Sequence, residues 1–464
     1  MASAEKHGTS IDRISTSKRT TRTSRINFTT RIPTELITEI FLYCLPDEIY
    51  IDPRIQEAPL LLGQICTSWR SIALHTPKLW SSVAIKVKST HRCIPSHPMI
   101  ELWLHRSLGS FLSFSIAFVG LGDLEVADSN VLAYFLPHSR RWRNMRLDFG
   151  PFLKPYLDIP YVCAPSLENV EISLHLSQLT TWIFRLLANV PSLRRLLFQP
   201  FLVGTNVNFQ DIIIPWAQLT HIMLPCELLA SSPIGLLRKC PRLMECELFR
   251  CGPLYDDSPQ HPIPPFVLPE LRLLRIEIEI HSMETLADFF DALVLPTLRT
   301  LTIKYGRRNN DEWPQSNFIS LLLRSLCHLE SLTLLGIRPS EEEVVQILQM
   351  TTASLTALEI DTGFTGICLT DRTLELLTAH NPLSDQEPYE CLAPNLTRLS
   401  LYRCMSSTDR VLSKMVHSRR RGGTSGIARL ITLQIDTVFL HDHPKDDSHI
   451  LQLADDGLEI VRVY

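Results

Sequence analysis

The sequence predicts an α/β fold: short parallel strands, each followed by a helix on the outer face, stacked as a solenoid behind a small all-α module. Three observations carry that expectation. A six-residue unit, apolar-x-x-apolar-x-apolar, recurs from residue 80 onward; helix-period segments separate its copies; two amphipathic helical stretches stand in front of it.

Composition narrows the choice. The 464 residues include 74 leucines but only 17 glycines, which disfavours folds built on glycine-rich phosphate loops. The formal charge of −4 gives no reason to bind nucleic acid or an anionic membrane. Twelve cysteines with no Cys-x-x-Cys pair read as reduced, mostly buried thiols in a cytoplasmic or nuclear protein. No apolar run approaches the roughly 20 residues that span a bilayer. Residues 1–28, rich in Ser and Thr and carrying Lys6, Arg13, Lys18, Arg19, Arg22 and Arg25, read as a disordered, solvated tail; a mitochondrial presequence shares the bias.

Residues 29–82 form the helical module. In IPTELITEIFLYCLP, Pro33 stands where a first helical residue tolerates proline, because that position has no intrahelical acceptor for an N–H. Leu36, Ile37, Ile40, Phe41, Cys44 and Leu45 recur at helical spacing, with Thr34, Glu35, Thr38 and Glu39 opposite, and Pro46 ends the run. In PLLLGQICTSWRSIALHTPKLW, Leu62, Ile65, Cys66, Trp69 and Ile72 repeat at steps of three and four, which predicts a second helix. Two helices of about 14 residues cannot bury this much apolar surface between them. An apolar partner surface is therefore expected.

Residues 83–464 carry the repeats. Weaker copies stand at Trp80/Val83/Ile85, Phe111/Phe114/Ile116 and Trp142/Met145/Leu147. Clear copies follow at Leu167/Val170/Ile172, Leu193/Leu196/Phe198, Leu219/Ile222/Leu224, Leu243/Cys246/Leu248 and Leu271/Leu274/Ile276. They continue at Leu298/Leu301/Ile303, Leu329/Leu332/Leu334, Leu355/Leu358/Ile360, Leu396/Leu399/Leu401 and Leu430/Leu433/Ile435. First positions are 24 to 41 residues apart, with a mean of about 29, which suits one strand and one helix per unit. A lone unit buries too little to order itself, and stacking supplies ladder bonds and a continuous core. Alternate positions such as Arg195, Glu247, Glu277 and Arg398 then face the other way, toward solvent. Helix-period segments lie between: QLTTWIFRLLAN with Leu179, Trp182, Ile183, Leu186 and Leu187, TLADFFDAL with Leu286, Phe289, Phe290 and Leu293, and EEEVVQILQM with Val344, Val345, Ile347 and Leu348. Pro165, Pro191, Pro241, Pro269, Pro296 and Pro394 each stand two residues before a first Leu, where they stop the helix and fix the start of the extended segment. A doubly wound α/β sheet would also alternate strands and helices, but with longer apolar strands.

The helical module resembles the F-box. That family opens with a Leu/Ile-Pro-x-Glu-Leu/Ile helix ending in Ile-Phe-x-x-Leu-Pro, continues with an apolar-Cys-x-x-Trp-Arg helix and closes on Leu-Trp. Ile32, Pro33, Glu35, Leu36, Ile40, Phe41, Leu45 and Pro46, then Ile65, Cys66, Trp69 and Arg70, then Leu79 and Trp80 match in order and phase over about 50 residues. The connector DEIYIDPRIQEA is longer than in the compact form and looks like the F-box-like variant common in fungi. The resemblance implies docking, helix in groove, on the small Skp-family adaptor of a cullin-based ubiquitin ligase, through Ile32, Pro33, Leu36, Ile40, Leu45, Leu62, Ile65, Cys66 and Trp69. A helical cap sealing the first repeat is the other use for the same residues.

The repeats in turn resemble the leucine-rich repeat. LTRLSLYRCMSSTDRVL is similar to its cysteine-containing class, in which Cys404 would pack inside the turn, followed by Thr408 and Asp409; Cys251 fills the same cysteine place. Together the resemblances imply a substrate-recognition subunit that performs no bond chemistry and holds an unknown protein target on its repeats. The alternative is a non-catalytic leucine-rich-repeat scaffold unrelated to ubiquitin transfer.

No pattern for catalysis, cofactor or metal stands out. His441, His443 and His449 in HDHPKDDSH have donor atoms for a divalent ion, but the stretch reads as a polar loop. Cys240, Cys246 and Cys251 are close in sequence, yet the last two already have core assignments. Asp256-Asp257 lacks a positioned acid partner. Arg419-Arg420-Arg421 before GGTSG reads as an exposed flexible loop, suited to a nuclear-import or phosphate contact if it has a use. Gly-x-Ser-x-Gly, phosphate-loop and His-Glu-x-x-His motifs are absent.

Overall fold

The computed structural model describes residues 32–89, 92–119, 130–148, 162–174, 186–187, 189–200, 214–225, 233–251, 264–278, 283–305, 312–363, 366, 368–379, 391–421 and 426–463. The expected tail at 1–28, Asp256-Asp257, and Leu179, Trp182 and Ile183 lie outside them.

Among these residues the strands are β1 (Ser82–Ser89), β2 (Arg92–Ile94), β3 (Leu112–Phe118), β4 (Trp142–Asp148), β5 (Asn169–Leu174), β6 (Arg195–Pro200), β7 (His221–Pro225), β8 (Glu245–Cys251), β9 (Phe266–Val267), β10 (Leu273–Ile278), β11 (Leu293–Val294), β12 (Thr300–Tyr305), β13 (Ser331–Leu335), β14 (Ala357–Asp361), β15 (Arg398–Tyr402), β16 (Thr432–Asp436) and β17 (Glu459–Val463). The helices are α1 (Thr34–Tyr43), α2 (Leu62–Ile65), α3 (Thr67–Leu74), α4 (His97–Arg106), α5 (Asn130–Ala133), α6 (Pro233–Arg238), α7 (Met283–Ala292), α8 (Gln315–Ser325), α9 (Glu341–Thr351), α10 (Asp371–Leu376), α11 (Val411–Arg421), α12 (Thr437–Asp442) and α13 (Pro444–Asp455).

The fold is α/β, with one 15-stranded sheet in which β1, β3 to β8, β10 and β12 to β17 lie side by side in chain order. Every pairing in it is parallel except that of the short edge strand β2 with β1. β9 and β11 form a separate two-stranded sheet.

All thirteen sequence units fall on consecutive parallel strands, from β1 to β16. Their middle residues stand opposite one another: Val83, Phe114, Met145, Val170, Leu196, Ile222, Cys246, Leu274, Leu301, Leu332, Leu358, Leu399 and Leu433, with Ile460 of β17 next in line. The thirteen middle residues of the units are all buried. One first position differs from expectation. Phe111 is 56% exposed, and Leu112, 2% exposed, takes its place opposite Trp142 through an irregularity in the β3–β4 register.

The prolines work through turns. Leu167, Leu193 and Leu396 donate their N–H to Ala164, Val190 and Ala393 at 3.1, 3.0 and 3.0 Å, closing reverse turns with Pro165, Pro191 and Pro394 second, where a fixed φ suits the geometry. α7 buries Leu286, Phe289 and Phe290, and α9 buries Val344, Val345, Ile347 and Leu348. α9 starts on a reciprocal cap, with Ser340 N donating to Glu343 Oε2 at 2.7 Å and Glu343 N to Ser340 Oγ at 3.3 Å.

Carboxylates tie each of the later units to the next. Glu341, first in α9, accepts from the N–H and hydroxyl of both Thr370 and Thr373, at 2.6 to 3.2 Å, where α10 begins. Asp371, first in α10, accepts from Thr408 N and Oγ1 at 2.7 Å each. Asp409 accepts from Lys445 N and Asp446 N at 3.1 and 3.0 Å, where α13 begins. N–H groups at a helix start have no intrahelical acceptor, so each of these oxygens satisfies donors that would otherwise need water. Cys404, just after β15, and Cys251, the last residue of β8, are both buried.

Two readings are corrected. HDHPKDDSH is helical, spanning the end of α12 and the start of α13, because Asp436 and Asp409 cap it and Leu440, Ile450 and Leu453 bury an apolar side. Arg419 to Arg421 close α11, and Arg419 is fully buried. Its guanidinium donates to Leu377 O at 2.6 Å, Leu392 O at 2.7 Å, Ala393 O at 3.1 Å and Cys391 Sγ at 3.3 Å. Among the described residues no helix is long and apolar enough to cross a membrane.

Arg419→Met keeps the buried volume but strands three carbonyls, so it should lower unfolding free energy by about 3 kcal/mol, read from the urea midpoint. Burial alone would raise the carboxyl of Glu341, but hydrogen bonds from Thr373 and Thr370 outweigh it and hold it below the usual range. Its contribution is complete above the ordinary glutamate value, about 4.3, and is lost as pH falls through the depressed folded value. The stability advantage of the wild type over Glu341→Gln should therefore shrink on acidification from about pH 6 to about pH 3.

Candidate protein-docking surface

In the helical module, α1 turns Ile37 and Phe41 inward, and the Phe41 ring meets Trp69 at 4.9 Å. The second helix breaks in two at Cys66, which is extended (φ −157°, ψ 169°) and accepts the N–H of Trp69 on its sulfur at 3.4 Å. The apolar period continues across the break because Cys66 caps α3, a substitution of cap for helix that periodicity does not register. Leu79 and Trp80 are buried in the short turn Pro77–Trp80. Trp80 Nε1 donates to Ala73 O at 2.8 Å, its ring lies edge-on to Trp103 at 4.8 Å, and the Arg106 guanidinium sits over it at 4.4 Å.

The nine residues expected to bind a partner separate into two sets. Leu36, Ile40 and Ile65 are 56%, 48% and 53% exposed, whereas Leu62 is 3% exposed. Pro33 and Cys66 are also exposed; Ile32, Leu45 and Trp69 are partly buried against the core. Leu62 and Trp69 thus hold the module together. Tyr43 completes the α1 stripe at i, i+4, i+7 after Leu36 and Ile40, and Ile49 and Ile55 of the connector, with Leu61 just before α2, are exposed as well. The sequence reading missed these four; Ile49 and Ile55 lie in a connector that has no period.

The connector is bound to the sheet. Ala84 N donates to Ile51 O at 2.7 Å, Ile51 N to Ser82 Oγ at 3.1 Å, and Ser82 Oγ to Ile49 O at 2.6 Å. Lys86 Nζ lies 2.8 Å from Asp52 and holds its carboxyl below the usual range, with Arg54 assisting. Burial, with Glu171 nearby, pushes the Tyr50 phenol up.

The second surface is the sheet face opposite the apolar columns. Its charges are mostly paired across adjacent strands: Arg146 with Glu171 at 3.6 Å, Arg275 with Glu247 at 3.7 Å, Lys304 with Glu277 at 3.3 Å, and Arg403 with Asp361 at 2.6 and 3.1 Å. Arg195 meets His221 at 3.1 Å, and burial, then Arg195, pushes the His221 imidazole down. Leu197 and Met223, opposite each other in β6 and β7, and Phe249, opposite Pro225 in β8, are partly buried apolar residues of these strands.

The expected chemical candidates do not converge. Cys240, Cys246 and Cys251 are buried, and burial pushes the Cys240 thiol up to about 12 and Cys246 well above its ordinary value, away from the thiolate a metal needs. Among the described residues no group of three or more His, Cys, Asp or Glu is placed to hold a metal ion. His443 is engaged within the fold, its Nδ1 and Nε2 each 2.8 Å from a carbonyl, Phe439 O and Ser407 O. No family model matches the chain, and no curated protein matches it.

The division of the module has a direct test. Leu36→Asp and Ile65→Asp should change unfolding free energy by less than about 0.5 kcal/mol, while Leu62→Ala should cost about 2–5 kcal/mol. Chemical denaturation of the three variants checks it.

Proposed function

We propose that the chain is a substrate-recognition subunit of a Skp–cullin–F-box ubiquitin ligase, working in the cytoplasm or nucleus. In this reading residues 29–82 are an F-box-like module and residues 83–464 a leucine-rich-repeat array. The observation that carries it is the apolar set Leu36, Ile40, Tyr43 and Ile65, left outside a module whose inward residues Phe41, Leu62 and Trp69 are already satisfied. A stripe at i, i+4, i+7 is the form in which a helix seats in a partner's apolar groove. Its agreement with the F-box spacing favours a Skp-family adaptor, and through it a cullin, as that partner.

The long parallel sheet supports the second half of the reading. Its outward face runs over fourteen parallel strands, with paired charges and the partly buried Leu197, Met223 and Phe249, which suits a protein target better than a polyanion. The chain would contribute no reacting group. It would raise the effective concentration of target lysines near the ubiquitin-charged enzyme.

A scaffold whose helical module only caps the array is favoured by one observation, the sealing of β1 by Leu79, Trp80 and Ile51. The two readings part in co-purification with a Skp-family adaptor. Combined Leu36→Asp and Ile65→Asp should abolish capture, whereas Leu326→Asp, on a more exposed site in the array (78%), should leave it intact. Capture that survives the double substitution, or never occurs, refutes the ligase reading.

A further inference from the structure

The whole-chain charge of −4 conceals a cationic edge. Just ahead of each strand the chain turns, and backbone hydrogen bonds set these turns side by side. The turns that lead into β4 to β8, β10 and β12 are residues 134–141, 162–168, 189–194, 214–220, 239–244, 264–272 and 295–299. Their charged residues are six arginines, Lys239 and only two acids, Glu168 and Glu270. Among the described residues, the turns that lead into β1, β3 and β13 to β17 are neutral on balance, since Lys78 and Arg429 offset Glu330 and Asp456.

Most of that charge is not neutralised within the chain. Glu168 is taken by Arg143 of β4 at 3.1 Å, Arg299 pairs with Glu330, and Arg141 donates to Ser107 Oγ and Ser110 O. At the helix ends beside the edge, Arg238 donates to Pro264 O and Asp291 accepts from Asn317. Arg140, Arg194, Lys239, Arg242 and Arg272 are exposed, and among the described residues none of them forms an ion pair. With adjacent strands about 4.8 Å apart, these five follow one another along roughly 24 Å of edge. Exposed apolar residues accompany them. Val267 stands in the turn before β10, and the cationic stretch is bracketed by Leu108 and Phe111 before β3 and by Leu326 before β13. Leu108 (φ 43°) and Leu326 (φ 49°) hold a left-handed backbone that a bulky residue seldom adopts. At 62% and 78% exposed, neither gains packing within the chain in return.

We propose that this edge seats the protein on an anionic lipid bilayer, with the five cations among the headgroups and Leu108, Phe111, Val267 and Leu326 at the acyl boundary. Basic residues interleaved with exposed apolar ones are the form in which a folded surface binds an acidic membrane without crossing it. The rest of the chain, acidic on balance, does not oppose the contact, because charges beyond about 8 Å are largely screened at physiological ionic strength. A nucleic acid would satisfy the cations but leave the two leucines and Phe111 in water. The contact uses neither the apolar stripe of the helical module nor the outward sheet face, so it stands apart from the ligase reading.

The test is sedimentation of the full chain with vesicles of phosphatidylcholine and phosphatidylserine in a two-to-one ratio. The wild type should pellet with them, stay in solution with phosphatidylcholine alone, and lose binding several-fold as salt rises from about 0.1 M to about 0.5 M. Combined Arg194→Glu, Arg242→Glu and Arg272→Glu should weaken binding by about tenfold or more with the unfolding temperature unchanged. The same reversal at Lys88, Arg372 and Lys414, exposed elsewhere in the array, should leave binding as it was. Leu108→Asn with Leu326→Asn introduces a residue that accepts left-handed backbone. That variant should bind several-fold more weakly while unfolding at the same or a higher temperature. No pelleting with the mixed vesicles, binding that ignores phosphatidylserine, an equal loss in the control variant, or retention of an oligonucleotide in place of vesicles would overturn the proposal.

Discussion

Backbone hydrogen bonds passing in phase from strand to strand are the constraint on which the other features depend. In a parallel sheet a slip of one residue turns every side chain to the opposite face. Here the phase survives from Val83 to Ile460 despite unit lengths that vary widely. Part of the reason lies just before the strands, where the ladder begins one residue early. Arg194 N donates to Glu168 O, Thr220 N to Arg194 O, Met244 N to Thr220 O and Arg272 N to Met244 O, each at 2.8 Å. A reverse turn closed by the N–H of the first Leu delivers the chain to that point in each of these units, with proline second in it at 191, 241 and 269, so an insertion elsewhere in a unit need not reach the register.

Toward the carboxyl-terminal end, side chains take over some of this work. Units lengthen to 41 and 34 residues there, and a longer excursion costs more chain entropy to close. Glu341, Asp371 and Asp409 each span the boundary between successive helices, and Arg419 gathers the carbonyls of Leu377, Leu392 and Ala393, all from within the longest spacing. A buried guanidinium is tolerable because nearly every donor it carries is used. These contacts are specific in direction: each acid belongs to one unit and the N–H groups it satisfies belong to the next.

The strands were legible in the sequence because burial on a two-residue period leaves a signature that needs no partner to read. β17 was not legible, since Gly457 and Arg462 occupy its first and third unit positions and only Ile460 keeps the pattern. A two-residue pairing such as β9 with β11 is too short to have a period. Phe111 was misassigned because two adjacent apolar residues offer the same unit, and the irregular β3–β4 register sets Leu112 opposite Trp142. In HDHPKDDSH and around Arg419 the misreading has a common cause: polar residues there are satisfied by groups more than 25 residues away, such as Asp409 and Leu392. Local composition reports polarity, not the distant partner that removes it from solvent. The candidate surface was half legible, since periodicity locates a helix stripe but does not say which side of it the rest of the chain will cover.

The edge of a sheet is a hazard as well as a boundary, because unpaired N–H and C=O groups recruit other chains. At β1 this protein covers the edge with β2 and with Ile49–Ile51, and the covering segment is also the link to the helical module. The same Ser82, Ala84 and Lys86 that finish the sheet therefore fix the position of α1 relative to it, and Trp80 set edge-on to Trp103 fixes it a second time. A connector of this length left free would let the module wander, and the effective concentration it could impose on anything held by the sheet would fall as the accessible volume grew. Bound in this way, the exposed apolar stripe and the outward sheet face are held at one separation. That is the geometry a receptor needs if its only contribution is to place one protein beside another.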